Sequence, residues 1–161
     1  MFQTLKTSNW PGNGRLFEGV ITIALLCITA SITAFAAPHS GSFDCENATD
    51  VPEAECDALV DLYEATNTNG WTLRQNWLES NEVCTWQNVS CEGGHVTALF
   101  LYENNLYGQI PASIGDLTFL EKLYMPQNQL SGSIPKELSE LPNLEELALF
   151  DNQLSGILPR F

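Results

Sequence analysis

The sequence predicts an α/β solenoid in which short parallel strands stack on a concave face behind a helical, disulfide-bearing N-terminal cap. Three observations carry this. An internal repeat of fixed period fills the second half, a helical face followed by clustered tryptophans precedes it, and an even set of cysteines lies outside an apolar run near the start.

Asn104, Asn128 and Asn152 recur 24 residues apart, each with the same neighbours at the same offsets. The shared frame is LxxLxLxxNxLxGxIP, with Val96 in place of the first leucine, Met125 of the third and Leu158 of the isoleucine. Strand alternation turns Leu99 and Leu101, Leu123 and Met125, Leu147 and Leu149 to one side, where stacked coils share a core. An asparagine amide both donates and accepts. Three at one register are therefore expected to form a ladder, each satisfying backbone groups of its own and the neighbouring coil. Gly108, Gly132 and Gly156 permit tight or positive-φ backbone, and the prolines of the IP pairs suit a strand edge or turn. Ile114, Leu117, Leu120 and Leu138, Leu141, Leu144 are spaced by three, which predicts short or 3₁₀ helices on the return path.

A stack of coils leaves its first apolar end open, and the residues before Val96 are expected to cover it. Asp50 and Glu53 resemble a capping box, Pro52 suits a first turn, and Cys56, Leu59, Val60 and Tyr63 make one helical face up to the breaker Asn67-Thr68-Asn69-Gly70. Trp71, Trp77 and Trp86 follow and read as cap core.

The run Val20 to Ala36 is apolar, follows Lys6 and Arg15, and ends in Ala34-Phe35-Ala36, the small-x-small pattern of a signal peptide cut after Ala36. An uncleaved membrane anchor is the alternative, and a buried core helix a third. The expected organisation is 1–36 signal peptide or anchor, 37–47 linker, 48–95 cap, and 96–161 three 24-residue repeats, the last incomplete. Either export reading places the repeats in a secreted or cell-surface, oxidising setting. The cysteines agree: without Cys27, the set Cys45, Cys56, Cys84 and Cys91 is even. Of three connectivities, Cys45 with Cys56 and Cys84 with Cys91 is preferred. Zinc is disfavoured because no histidine stands at ligand spacing from a CxxC pair, and no metal or cofactor is expected. Asn47-Ala48-Thr49 and Asn88-Val89-Ser90 are glycosylation sequons.

The chain has 161 residues and a formal net charge of -14, and beyond the apolar run its cations are Arg74, Lys122, Lys136 and Arg160. This sign disfavours nucleic acid and anionic membrane surfaces, and a membrane association is expected only through an uncleaved Val20 to Ala36. Catalysis is not expected. His39 and His95 lie near no GxSxG-type nucleophile, no P-loop, HExxH or EF-hand spacing occurs, and a thin coil stack offers no cleft in which to desolvate a carboxylate pair.

The stretch ALVDLYEATNTNGWT, then NWL, then CTWQNVSCEGGHVTAL, followed by the repeat frame, resembles plant-type leucine-rich-repeat proteins over about Glu55 to Pro159. Similar modules occur in polygalacturonase inhibitors, receptor-kinase ectodomains and secreted bacterial leucine-rich-repeat proteins. The resemblance implies a binding surface on the concave strands. Its outward residues here are Ala98, Phe100, Tyr102 and Glu103, then Lys122, Tyr124, Pro126 and Gln127, then Glu146, Ala148, Phe150 and Asp151. In columns, Phe100 falls above Tyr124 and Tyr102 near Phe150, with Glu103 and Asp151 on the rim. The expected partner is an extracellular protein, peptide or glycan; the alternative is a structural or adhesion element, or a fragment of a larger receptor. The frame breaks off at Phe161, and an open third repeat is expected to self-associate.

Overall fold

The computed structural model describes residues 43–66 and 70–156. The apolar run, the first part of the expected linker, the breaker residues Asn67 to Asn69, and Leu158 and Pro159 lie outside the described residues.

Helix α1, Glu53–Thr66, opens with acidic Glu53 and Glu55 in its first turn and buries Cys56, Leu59, Val60 and Tyr63, the expected face. The expected capping box is not what Asp50 forms. Its Oδ1 and Oδ2 accept the N–H groups of Val83 and Cys84 at 2.8 and 2.9 Å, tying the cap's second half to the approach of the helix. Trp71, Trp77 and Trp86 are buried with Tyr63 in a continuous aromatic chain, with neighbouring centroids 4.7 Å apart for Trp71 and Trp77 and 4.9 Å for Trp77 and Trp86. Each indole N–H finds an acceptor: Thr66 Oγ1 for Trp71, Gln87 O for Trp77 and Ser80 O for Trp86, which is how so large a polar-tipped group is buried without an orphaned donor.

Both disulfides have the preferred pairing, Cys45 with Cys56 and Cys84 with Cys91. The first matters for the segment expected as a linker. Its described part is fastened to the cap: Cys45–Asn47 forms a 3₁₀ turn capped by Asp44, Cys45 is bonded to α1, and Phe43 packs edge-on against Trp86 at 5.3 Å.

Strands β1 (Val89–Glu92), β2 (His95–Phe100), β4 (Lys122–Tyr124) and β6 (Glu146–Ala148) form one sheet in that order. β1 pairs antiparallel with β2, and the rest are parallel with residues 24 apart in register, such as Leu99 with Leu123 and Leu123 with Leu147. Strands β3 (Tyr107–Gln109), β5 (Gln129–Ser133) and β7 (Gln153–Ser155) form a second parallel sheet. The sequence alone signals no strand here. Each run is short, with a positive-φ glycine inside β3 and β5 and directly after β7, so no alternating pattern marks it, and pairing with the next coil is what makes it a strand. Between the sheets lie Leu99, Leu101, Leu106, Leu123, Met125 and Leu130, all fully buried. The return segments close the stack as 3₁₀ helices, Ala112–Asp116 and Lys136–Glu140, each entered through a proline. Among the described residues no helix is long and apolar enough to cross a membrane.

The asparagine ladder forms as expected. Asn128 donates to the carbonyls of Leu101, Met125 and Pro126, and its Oδ1 accepts the N–H groups of Asn104 and Leu106 at 2.9 and 3.1 Å. Asn104 makes the same kind of join to the cap at Leu73, and Asn152 joins the third coil to the second through Met125 and Leu130. Coils are thus locked to their neighbours by buried amides that have no other way of being satisfied.

Candidate functional site

The four-stranded sheet presents the expected aromatic face. Phe100 and Tyr124 are register partners, and their rings stack with centroids 5.4 Å apart at 29°. Parallel pairing holds equivalent side chains roughly one strand spacing apart, about 4.8 Å, which is the stacking distance of aromatic rings. Beside them Lys122 Nζ lies 2.8 Å from Glu146 Oε1, and the Tyr124 hydroxyl donates to Glu146 Oε2. Glu146 is held by both partners. The hydrogen bond from Lys122, then that from Tyr124, keep its carboxyl below the usual carboxylate range, and in return the bond to Glu146 raises both Lys122 and Tyr124 above their ordinary values. The pair is solvated, so it orders side chains more than it stabilises the fold.

Two outward assignments are corrected. Ala98 is buried, and Pro126 is buried between coils, so neither offers surface. Tyr102 and Phe150 remain exposed, at 50% and 62%. They share a column with Pro126 between them, so they are roughly 10 Å apart at two strand spacings and form no stack with each other. Glu103, Gln127 and Asp151 stand in the turn beyond the strands, each with positive φ (48°, 54° and 56°). That left-handed residue before every ladder asparagine swings the chain out of the strand. Only Asp151 belongs to a type that tolerates the conformation well, which is why the sequence does not signal it.

The surface therefore has a ring stack, two flanking exposed aromatics, and a rim of Glu103, Gln127, Asp151 and Glu146, all exposed. Lys122, the cation of this face, is neutralised by Glu146. Among the described residues no group of histidine, cysteine, aspartate or glutamate is arranged to hold a metal ion.

Sequence reasoning missed one polar join. Glu55 is 3% exposed on α1, its Oε1 lies 2.6 Å from His95 Nδ1, and its Oε2 accepts the Val96 N–H at 2.7 Å. His95 in turn stacks on Phe119, with centroids 3.7 Å apart. An acid four residues before Leu59 on the buried face was the available signal.

The frame, the two-sheet coil and the disulfide-bearing cap give the chain a leucine-rich-repeat fold similar to that of plant leucine-rich-repeat proteins. Residues 119–141 match the Leucine Rich Repeat family model. Over 56 residues, 32% of the chain, it is 43% identical to Phytosulfokine receptor 2 of Arabidopsis thaliana, and over 52 residues, 30% of the chain, 36% identical to Polygalacturonase inhibitor 1 of the same plant. The chain spans only 5% and 16% of the length of these two relatives. Among solved structures it is similar to the BIR2 ectodomain from Arabidopsis thaliana, with a TM-score of 0.59 and 32% identity, covering 69% of this chain and 60% of that one.

Proposed function

We propose that the chain is an extracellular binding protein that captures a basic peptide or protein segment on the four-stranded face. The observation that carries this reading is the solvent-facing Phe100–Tyr124 stack set among carboxylates with its lysine already neutralised. Exposed aromatics supply contact area at low cost in side-chain entropy, and a negative rim steers a cationic partner. Two relatives support the class: one is named a receptor and the other an inhibitor of an enzyme, and both names describe recognition of another molecule. The two disulfides fit folding in an oxidising, extracellular setting.

A surface-immobilised peptide library spanning net charge and aromatic content tests the reading. Binders should be enriched in Lys or Arg next to an aromatic or apolar residue, and their capture should weaken as salt rises. Enrichment of acidic peptides, or capture indifferent to salt, would contradict it.

A second reading is self-association. Leu147, Leu149 and Leu154 of the third coil are only partly buried, whereas Leu123, Met125 and Leu130, their equivalents one coil earlier, are fully buried. Sedimentation velocity over a hundredfold concentration range separates the readings, because self-association shifts with protein concentration and peptide capture does not require it.

A further inference from the structure

We propose that Asn88 is an N-glycan acceptor and that its glycan shields the cap-side edge of the aromatic face. Two sequons exist in the described residues, at Asn47 and Asn88, and the structure treats them differently.

Asn47 is tied down: its Nδ2 donates to Asp44 Oδ2 at 2.7 Å. Asn88 is half-exposed with a φ of 69°, in the turn that leads into β1, and none of the side-chain hydrogen bonds of the cap involves its amide. The sequon hydroxyl Ser90 is exposed next to the register shift between Ser90 and Cys91, and its Oγ holds no fold contact. Attaching a sugar at Asn88 therefore breaks no hydrogen bond of the folded chain.

Its position gives the modification a consequence. The Asn88 carbonyl accepts the Phe100 N–H at 3.0 Å, so the two residues oppose each other across the antiparallel β1–β2 ladder. The next pair inward, Val89 and Leu99, is buried in the core, whereas Asn88 and Phe100 are both only partly buried, so both reach solvent at this edge of the sheet. A glycan rooted there stands beside the first ring of the Phe100–Tyr124 stack. It leaves Phe150, two coils away, open. A ligand would then enter from the third-coil side.

In the transfer, Asn88 Nδ2 forms a bond to C1 of an oligosaccharide as the bond from C1 to a polyprenyl diphosphate breaks. The amide loses one proton and the diphosphate leaves with the bonding electrons. That regulation of binding follows rests on the proposed function above, but neither occupancy nor shielding does.

The full chain is secreted from a eukaryotic cell and mapped by mass spectrometry after enzymatic glycan release in ¹⁸O water, which marks each occupied asparagine as labelled aspartate. Hydroxyl-radical footprinting of Phe100 and Phe150 is then compared between the intact glycoprotein, the same protein trimmed by an endoglycosidase to its innermost sugar, and the Ser90→Ala variant. The expected result is label at Asn88, none at Asn88 in Ser90→Ala, and a Phe100 oxidation rate several-fold lower in the intact glycoprotein than in either comparator, with Phe150 unchanged. An unoccupied Asn88 in the secreted protein overturns the site. An occupied Asn88 with equal Phe100 oxidation in all three samples overturns the shielding. Absence of Lys- or Arg-bearing peptide capture even in the trimmed protein and in Ser90→Ala, with both results intact, would instead count against the binding function.

Discussion

Glu55, on the buried face of α1, accepts the backbone N–H of Val96 at 2.7 Å, and through that bond the helix holds the first residue of the first coil. The donor is fully buried, so no water can replace the carboxylate. Glu55→Ala should destabilise the protein by about 3 kcal/mol, because it orphans a buried N–H and removes a charge-assisted bond. Urea unfolding with an unchanged m-value measures the loss, and a change below about 1 kcal/mol would show that the cap is held by packing alone.

The ladder predicts a gradient. Asn128 is buried and serves five backbone groups from two coils, whereas Asn152 is partly exposed at the third. Asn128→Ala should cost roughly 3 kcal/mol or more and Asn152→Ala distinctly less, since water reaches the groups left behind in the second case. Thermal unfolding of the two variants side by side tests the order, and equal losses would contradict it.

Gly108 is where α1 meets the second sheet: a Cβ there would lie 2.0 Å from the Ala65 carbonyl oxygen, at a φ of 139°. At Gly156 the nearest atom is the Ser133 Cβ at 3.4 Å. Gly108→Ala should therefore force α1 away from β3 and lower the melting temperature well beyond Gly156→Ala, which carries backbone strain but little clash.

These variants also mark what the sequence made legible. The core leucines, the ladder and the 3₁₀ returns follow from a strict period, because each coil imposes the same burial at the same offset. Both disulfide pairs and the Phe100–Tyr124 column were legible too. The second sheet was not, since Tyr107–Gln109 and its equivalents become strands only through pairing with the next coil. Glu55 and Asp50 escaped for a related reason: their partners Val96, Val83 and Cys84 are distant backbone groups, and no spacing in the chain announces them. The resemblance implies an outward Pro126, which fails where the left-handed Gln127 breaks the strand and Pro126 is buried.

Tyr124 should titrate above the ordinary tyrosine value, because its hydroxyl donates to Glu146 and losing the proton would set two negative groups together. A group raised on folding contributes stability that is fully present below its unfolded value and lost as pH rises through the folded one; Tyr124 and Lys122 both do so at the alkaline end. Glu146 has the opposite sign. Its depressed value contributes stability above the unfolded carboxylate range that disappears as pH falls through the folded value. In a phenolate absorbance titration, Glu146→Gln should bring the late component back towards the ordinary tyrosine value. A titration identical to the parent protein would show that the contact does not persist in solution.

The central claim, that the stacked rings capture the ligand, is tested most directly by Phe100→Ala with Tyr124→Ala. Binding of the best Lys- or Arg-bearing peptide from the library is measured by fluorescence anisotropy, together with the melting temperature. Both side chains lie on the solvent-facing side of the sheet, outside the core. The account predicts at least a roughly hundredfold loss of affinity, as for removal of paired aromatic anchors, with the melting temperature close to the parent. Unchanged affinity in a folded double variant would contradict it.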